Sequence, residues 1–183
     1  MRSDKAELIC AIEDDEDILR LIRHTCEEAG YCVVCETDGI KGLHLVKEIK
    51  PDLVLLDLML PGMHGIDICF TLRREQSTRH IPIIILSACG EEEDVARGLD
   101  TGACDYIVKP FRRLDLLARI RRHLHNTKTY LTLREHHAQL ERLQRDQSAQ
   151  LKQASKLAEI GAMAAGLHHE FTNIASGLTM GLD

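Results

Sequence analysis

Five side chains able to do chemistry stand at the ends of short apolar runs. Glu13 and Asp14 follow residues 8–12, Asp57 follows Leu53 to Leu56, Ser87 follows residues 82–86, and Lys109 follows residues 104–108. In an open parallel sheet, ligands gather outside the carboxyl ends of the strands. With the first strand at the middle of such a sheet, all five groups converge on one edge. Carboxylates about 4 Å apart repel by about 4 kcal/mol per pair at an effective dielectric near 20, so an uncompensated set would bind a proton. Lys109 brings one positive charge, and a small hard cation with oxygen ligands would bring the rest. Mg²⁺ suits the position, because it takes one or two carboxylates together with waters and a phosphate. A hydroxyl, an ammonium and a metal around one carboxylate are the parts phosphoryl transfer needs, with Asp57 as the nucleophile of an aspartyl phosphate. Read from its own stretch alone, Pro51 to Gly65, Asp57 equally suits a residue that ends a strand and caps the next helix.

The elements that must position these groups alternate. Strands are expected at 8–12, 31–35, 53–57, 82–86 and 104–108. Between them lie a helical pattern through Ile18, Leu21, Ile22 and Cys26 that stops at Gly30, and a helix from Asp38 with Leu43, Val46 and Ile49 that closes at Pro51. Further helices are expected at 66–74, from Glu91, whose acid cluster suits the positive end of a helix dipole, and from Phe111. Five strands alternating with five helices imply an α/β domain: a doubly wound, five-stranded parallel sheet with helices on both faces.

Composition bounds the rest. The 183 residues are 44% hydrophobic, enough for one good core. No apolar run approaches the roughly 18–20 residues of a membrane span, and no long apolar signal region follows the amino terminus, so a cytoplasmic protein without a membrane partner is expected. Residues 1–110 carry 12 Lys and Arg against 22 Asp and Glu, a balance of −10; residues 111–183 carry 11 against 7, a balance of +4. All four prolines fall at or before Pro110, so two segments of different kind are expected. Of the seven cysteines, Cys32 and Cys35 form a CxxC within an apolar strand, where positions three apart face opposite sides. There is no second CxxC to complete a zinc site. Reduced cysteines buried in a core are expected.

Residues 7–125 resemble the receiver domain of two-component response regulators. The resemblance rests on Ile12-Glu13-Asp14-Asp15, the Pro51 to Gly65 stretch, Ser87-Ala88, and Gly102-Ala103-Cys104-Asp105-Tyr106-Ile107-Val108-Lys109-Pro110-Phe111. It implies a flavodoxin-like fold in which Asp57 accepts a phosphoryl group from a phosphohistidine donor, either a histidine kinase or a phosphotransfer protein. It further implies that Glu13, Asp14, Asp57 and the backbone carbonyl of Met59 hold Mg²⁺, that Ser87 and Lys109 bind the phosphoryl oxygens, and that Lys109-Pro110 is cis. Asp15 falls to an accessory or capping role, and His64 stands where the family often has an acidic residue. Ser87 and Tyr106 form the family's switch, altering the face made by the helix from Glu91, the last strand and the helix from Phe111. A half-buried strand aromatic is the plainer reading of Tyr106. A haloacid-dehalogenase phosphatase would need an acid at Met59 and is set aside.

From Phe111 to Ile160 there is neither Gly nor Pro. Leu114, Leu117, Ala118 and Ile120 suit a helix packed on the receiver, and residues 126–154 suit a coiled-coil signalling helix. Leu157, Ile160, Ala164, Leu167, Phe171, Ile174 and Leu178 then follow a three-four seam, with a phase break between Gln147 and Leu157. A seam needs a partner helix, so a parallel homodimer is expected. The basic residues Arg112, Arg113, Arg119, Arg121 and Arg122 lack a helix-turn-helix pattern and aromatic company, so they read as solvated helix faces with no direct nucleic acid binding. Residues 155–183 resemble the first helix of the dimerisation and phosphoacceptor domain of sensor histidine kinases, through His169-Glu170-Phe171-x-Asn173 and the small residues Gly161 to Gly166. That resemblance implies a phosphorylated imidazole at His169, with Glu170 as its acid–base partner. A solvent-facing helical histidine fits the same position. The expected whole is the front of a longer hybrid histidine kinase. Without an ATP-binding domain, this chain would perform only aspartyl phosphoryl acceptance and autodephosphorylation. The alternative is a stand-alone, non-enzymatic response regulator whose coiled coil mediates dimerisation or partner binding.

Overall fold

The computed structural model describes residues 6–88, 97 and 99–179, with side chains to Ser148 and, beyond it, at 150–152, 156 and 163. The chain divides into two compact units between Leu131 and Thr132. The first unit holds β1 (Leu8–Ile12), α1 (Glu16–Glu28), β2 (Cys32–Glu36), α2 (Gly39–Ile49), β3 (Leu53–Asp57), α3 (Gly65–Arg74), β4 (Ile83–Ala88), β5 (Asp105–Lys109) and the start of α4 (Arg113–Thr179). The helix expected from Glu91 falls largely outside the described residues.

All strands are parallel, in the order β2-β1-β3-β4-β5. The centre therefore belongs to β3 and not to the first strand. Every residue of β3 is buried, and its side chains alternate. Val54 and Leu56 join Ile12, Ile68, Leu72 and Ile85 under α2 and α3. Leu53 and Leu55 join Ile22, Leu86, Leu116 and Ile120 under α1 and α4. A strand covered on both faces must be apolar at every position, which explains the unbroken run. Each such leucine or isoleucine, fully withdrawn from water, contributes roughly 1.5–3 kcal/mol.

Caps set the helix starts. Asp15 accepts from Asp17 N at 2.8 Å and Ile18 N at 3.2 Å to open α1, and Asp38 accepts from Lys41 N at 2.9 Å to open α2. His64 caps α3, its Nδ1 accepting from Ile66 N at 3.2 Å, a role its sequence position did not announce. A Cβ on Gly65 would stand 2.2 Å from the Asp57 carbonyl oxygen, so only glycine lets α3 begin so close to the end of β3. Lys109-Pro110 is cis.

Two expectations need correction here. The face of α4 on the sheet is Leu116, Ile120 and Leu124 rather than Leu114, which is 67% exposed. The cause is the helix start: Phe111 is spent on the core and Arg112 O takes the first helical bond, from Leu116 N at 3.1 Å. Nor are the cysteines uniformly buried. Cys10, Cys26 and Cys69 are; Cys32 and Cys104 are exposed and Cys35 is half-buried, and these six, the cysteines among the described residues, are free. In the second unit, Leu133, Leu140, Leu143 and Leu151 are exposed along the helix. The side chains of His169, Glu170 and the seam residues Leu157 to Leu178 lie outside those described.

Candidate functional site

The carboxyl ends of β1, β3, β4 and β5 meet at one edge. Pairing of Asp57 with Leu86, and of Ala88 with Lys109, sets Ser87 and Lys109 beside the end of β3. Lys109 Nζ lies 2.6 Å from Glu13 Oε2 and 3.0 Å from Asp57 Oδ2, and it donates to Glu13 Oε1 at 2.8 Å. Asp57 Oδ1 accepts from Leu58 N at 2.7 Å. Glu13, Asp57 and Ser87 are buried, whereas Asp14 is exposed.

Electrostatics explain why one ammonium sits between two buried acids. Burial pushes the Glu13 carboxyl up to about 7, despite the opposing Lys109 hydrogen bond, and the charge of Asp57 adds to the rise. Burial alone would depress the Lys109 ammonium, but its hydrogen bonds to Glu13 and Asp57 and their charges outweigh that and hold it above the usual lysine range.

One carboxylate oxygen from each of Glu13, Asp14 and Asp57 falls within a span of 4.8 Å. Three hard oxygen donors that close, with an exposed member open to water, fit a small divalent cation such as Mg²⁺. Ser87 Oγ is buried without a hydrogen-bond partner. An unsatisfied buried hydroxyl costs about 1–3 kcal/mol, which is tolerable where a ligand oxygen is to arrive. Met59 is on the loop two residues past Asp57, its side chain 57% exposed. Tyr106 is 39% exposed on the outer face of β5, beside Val108. The edge thus gathers Glu13, Asp14, Asp57, Ser87 and Lys109, with Met59 on the adjoining loop, whereas Tyr106 lies three residues before Lys109, near the start of β5. His169 belongs to the second unit.

The arginines of α4 are not all solvated faces. Arg119 and Arg122 bind the buried Asp105 at 2.6 Å each, and Arg113 pairs with Glu28 of α1. The signal was the spacing of 119, 122 and 123, which places three donors on one helix face.

A buried acidic edge with one lysine, at the carboxyl ends of a 2-1-3-4-5 parallel sheet, defines a receiver-type α/β domain of flavodoxin-like fold. The chain belongs to the response regulator receiver domain family, whose match spans residues 9–121. It is thereby the receiver of a two-component phosphorelay. It is 44% identical over 119 residues to the DNA-binding dual master transcriptional regulator RpaA of Synechocystis sp., covering 65% of this chain and 49% of that protein. To the DNA-binding response regulator MtrA of Mycobacterium tuberculosis it is 42% identical over 116 residues, covering 63% and 50%. This chain thus spans about half the length of the curated relatives it matches. Among solved structures, the receiver domain of the sensor histidine kinase PA1611 from Pseudomonas aeruginosa PAO1, with a magnesium ion coordinated in its active site cleft, superposes with a TM-score of 0.62 at 28% identity, covering 66% of this chain and 99% of that one.

These relatives overturn one expectation. The α4 arginines lack a helix-turn-helix pattern and aromatic company, which pointed away from nucleic acid, yet RpaA and MtrA are named as DNA-binding regulators and the match covers only about half of each. Among the described residues, no helix is long and apolar enough to cross a membrane.

Proposed function

We propose that Asp57 is the phosphoacceptor of this receiver and takes its phosphoryl group from a phosphohistidine donor. The Asp57 carboxylate attacks phosphorus, the O–P bond forms as the N–P bond breaks, and the imidazole leaves and takes up a proton. Lys109, now 3.0 Å from Asp57 Oδ2, moves onto a phosphoryl oxygen, and the unpartnered Ser87 hydroxyl donates to another. Glu13, Asp14, Asp57 and the Met59 carbonyl would hold Mg²⁺, which supplies neutralisation of the phosphoryl charge. Withdrawal of Ser87 toward the phosphoryl group leaves room for Tyr106 to turn inward from its exposed position. The observation that carries this reading is the convergence of the three carboxylates within 4.8 Å, with one ammonium on two of them.

The domain boundaries proposed are receiver 7–125, coiled-coil helix 126–154, and the first helix of a histidine kinase dimerisation domain at 155–183, with His169 as its phosphorylated residue. Support comes from the uncovered Leu133, Leu140 and Leu143, which suit a parallel homodimer in the cytoplasm, and from the His169-Glu170-Phe171-x-Asn173 motif. Sedimentation of the chain with Leu133 and Leu140 replaced by aspartate should return a monomer; an unchanged dimer would sink the seam. A second reading, favoured by the names of RpaA and MtrA, makes the chain part of a regulator whose output acts on DNA. Phosphorylation-dependent retardation of genomic DNA fragments by the natural full-length protein would decide for it.

The deciding experiment is phosphate incorporation from acetyl phosphate with Mg²⁺ by wild type, Asp57→Ala and His169→Ala. Loss of label with Asp57→Ala alone is the expected result. An acid-labile, base-stable fraction lost with His169→Ala would add a relay between the two sites. Absence of label from wild type would falsify the assignment of Asp57.

A further inference from the structure

The loop from Leu58 to His64 carries the chain past Met59, from the end of β3 to the start of α3. Asp57, where the loop begins, accepts from Leu58 N at 2.7 Å through Oδ1. Gly65 N donates to Leu58 O at 2.8 Å, which closes the loop on itself. Gly39 N, at the start of α2, donates to Pro61 O at 2.9 Å, and a Cβ on Gly62 would stand 3.0 Å from Asp38 Oδ2. The closing bond is the tie nearest the Asp57 carboxylate, and its donor is the first residue of α3.

His64 fixes where that helix begins. Its side chain is half-buried and its backbone extended, at φ −64° and ψ 141°. Its carbonyl oxygen takes the first helical bonds, from Asp67 N at 3.0 Å and Ile68 N at 3.2 Å, while its Nδ1 accepts from Ile66 N at 3.2 Å. An N-cap behaves in this way. An imidazole nitrogen accepts only through its lone pair, so the cap requires the ring proton to be on Nε2. A carboxylate, amide or hydroxyl cap keeps an acceptor oxygen across the neutral pH range. An imidazole gives its acceptor up when it takes a second proton. Without the cap, Ile66 N loses its partner, the first turn of α3 frays, and Gly65 within that turn no longer holds Leu58 O.

We propose that His64 is a positioning residue of the phosphoacceptor site: its imidazole caps α3 and, through the Gly65–Leu58 bond, holds the loop that presents the Met59 carbonyl to the cation. His64 acts through backbone bonds and not on the reacting atoms. The inference rests on the reading of Glu13, Asp14, Asp57 and Met59 as a Mg²⁺ site. It implies that acid weakens cation binding by a route separate from protonation of the carboxylates. The charged groups on the elements around the loop are Asp38 before α2, Asp57 on β3, Asp67 in the first turn of α3, and Glu13 and Lys109 at the strand ends. All of them are unchanged in a variant at position 64, so their own titration cancels when that variant is compared with wild type.

The test compares wild type, H64N and H64A in the full chain by calorimetric Mg²⁺ titration, and by amide exchange over residues 58–68 without Mg²⁺. Each is measured at about pH 8 and about pH 5.5, on either side of the range in which an imidazole changes charge. Asparagine supplies a capping oxygen that does not titrate. At the higher pH, H64A should bind Mg²⁺ about fivefold more weakly than wild type, the size of an N-cap contribution. Its residues 58–68 should also exchange faster, and H64N should match wild type in both measurements. At the lower pH, wild type should fall about fivefold below H64N. The inference is overturned if H64A binds Mg²⁺ as wild type does at the higher pH, if H64N fails to restore the affinity, or if the ratio of wild type to H64N is the same at both pH values. No Mg²⁺ binding by wild type, with faster exchange in H64A, would overturn the cation reading and leave His64 a cap of α3 and nothing more.

Discussion

Replacing Lys109 by methionine tests the electrostatic account of the site at its centre. The substitution keeps the aliphatic stem and removes the ammonium that lies 2.6 Å from Glu13 and 3.0 Å from Asp57. Two buried acids are then left facing each other. Breaking a buried ion pair in this way costs about 3–5 kcal/mol; uptake of a proton by Glu13, whose carboxyl burial already pushes up to about 7, relieves the roughly 4 kcal/mol of repulsion that two charges 4 Å apart would add at a dielectric near 20. With a urea slope of about 2 kcal/mol/M, the midpoint should fall by roughly 2 M. Loss of stem packing is separated by adding Asp57→Asn and the double variant to form a cycle. If Lys109 acts through Asp57, the two changes couple by more than about 1 kcal/mol, well beyond the 0.3–0.5 kcal/mol scatter of independent sites. Added Mg²⁺ should raise the midpoint of wild type by mass action, and less so that of Asp57→Asn. Additive effects, or a Lys109→Met midpoint equal to that of wild type, would refute the reasoning.

Three further outcomes follow from the geometry. Ser87→Ala removes a buried, unpartnered hydroxyl and should leave thermal stability unchanged or raise it by about 1 kcal/mol, while slowing phosphate incorporation; a loss above that size would mean Ser87 is satisfied in the fold. Gly65→Ala drives a Cβ into the Asp57 carbonyl and should cost about 1–3 kcal/mol in denaturant, with label uptake at Asp57 falling in step. Asp105, whose folded carboxyl lies below its unfolded value, stabilises the fold above the unfolded carboxylate range and loses that contribution as pH falls through the folded value. Asp105→Asn should therefore show a shallower acid limb in a plot of melting temperature against pH, and a limb parallel to wild type would count against the Arg119 and Arg122 pairs with Asp105.

Much of this protein was legible locally. A four-residue apolar run followed by Asp57 and the Pro61-Gly62 break reads as a strand buried on both faces, because it is too short between its flanking breaks for a buried helix. Asp15, Asp38, Gly30 and Pro51 mark helix ends through hydrogen bonds and dihedral limits that span a few residues. The order of strand-end groups Glu13, Asp14, Asp57, Ser87 and Lys109 therefore follows from sequence-local physics, and so does their convergence once the strands are parallel.

What tertiary structure decided lies in contacts between residues far apart in the chain. Placing β3 at the centre depends on which strands pair, and apolar runs alone do not encode it. The buried face of α4 is Leu116, Ile120 and Leu124 because Phe111 is drawn into the core and delays the helix. Arg119 and Arg122 look like any exposed helix arginine until β5 brings Asp105 beneath them. His64 becomes a cap only when Gly65 lets α3 begin against the end of β3. In each case the residue type permits several environments, and packing across the sheet selects one.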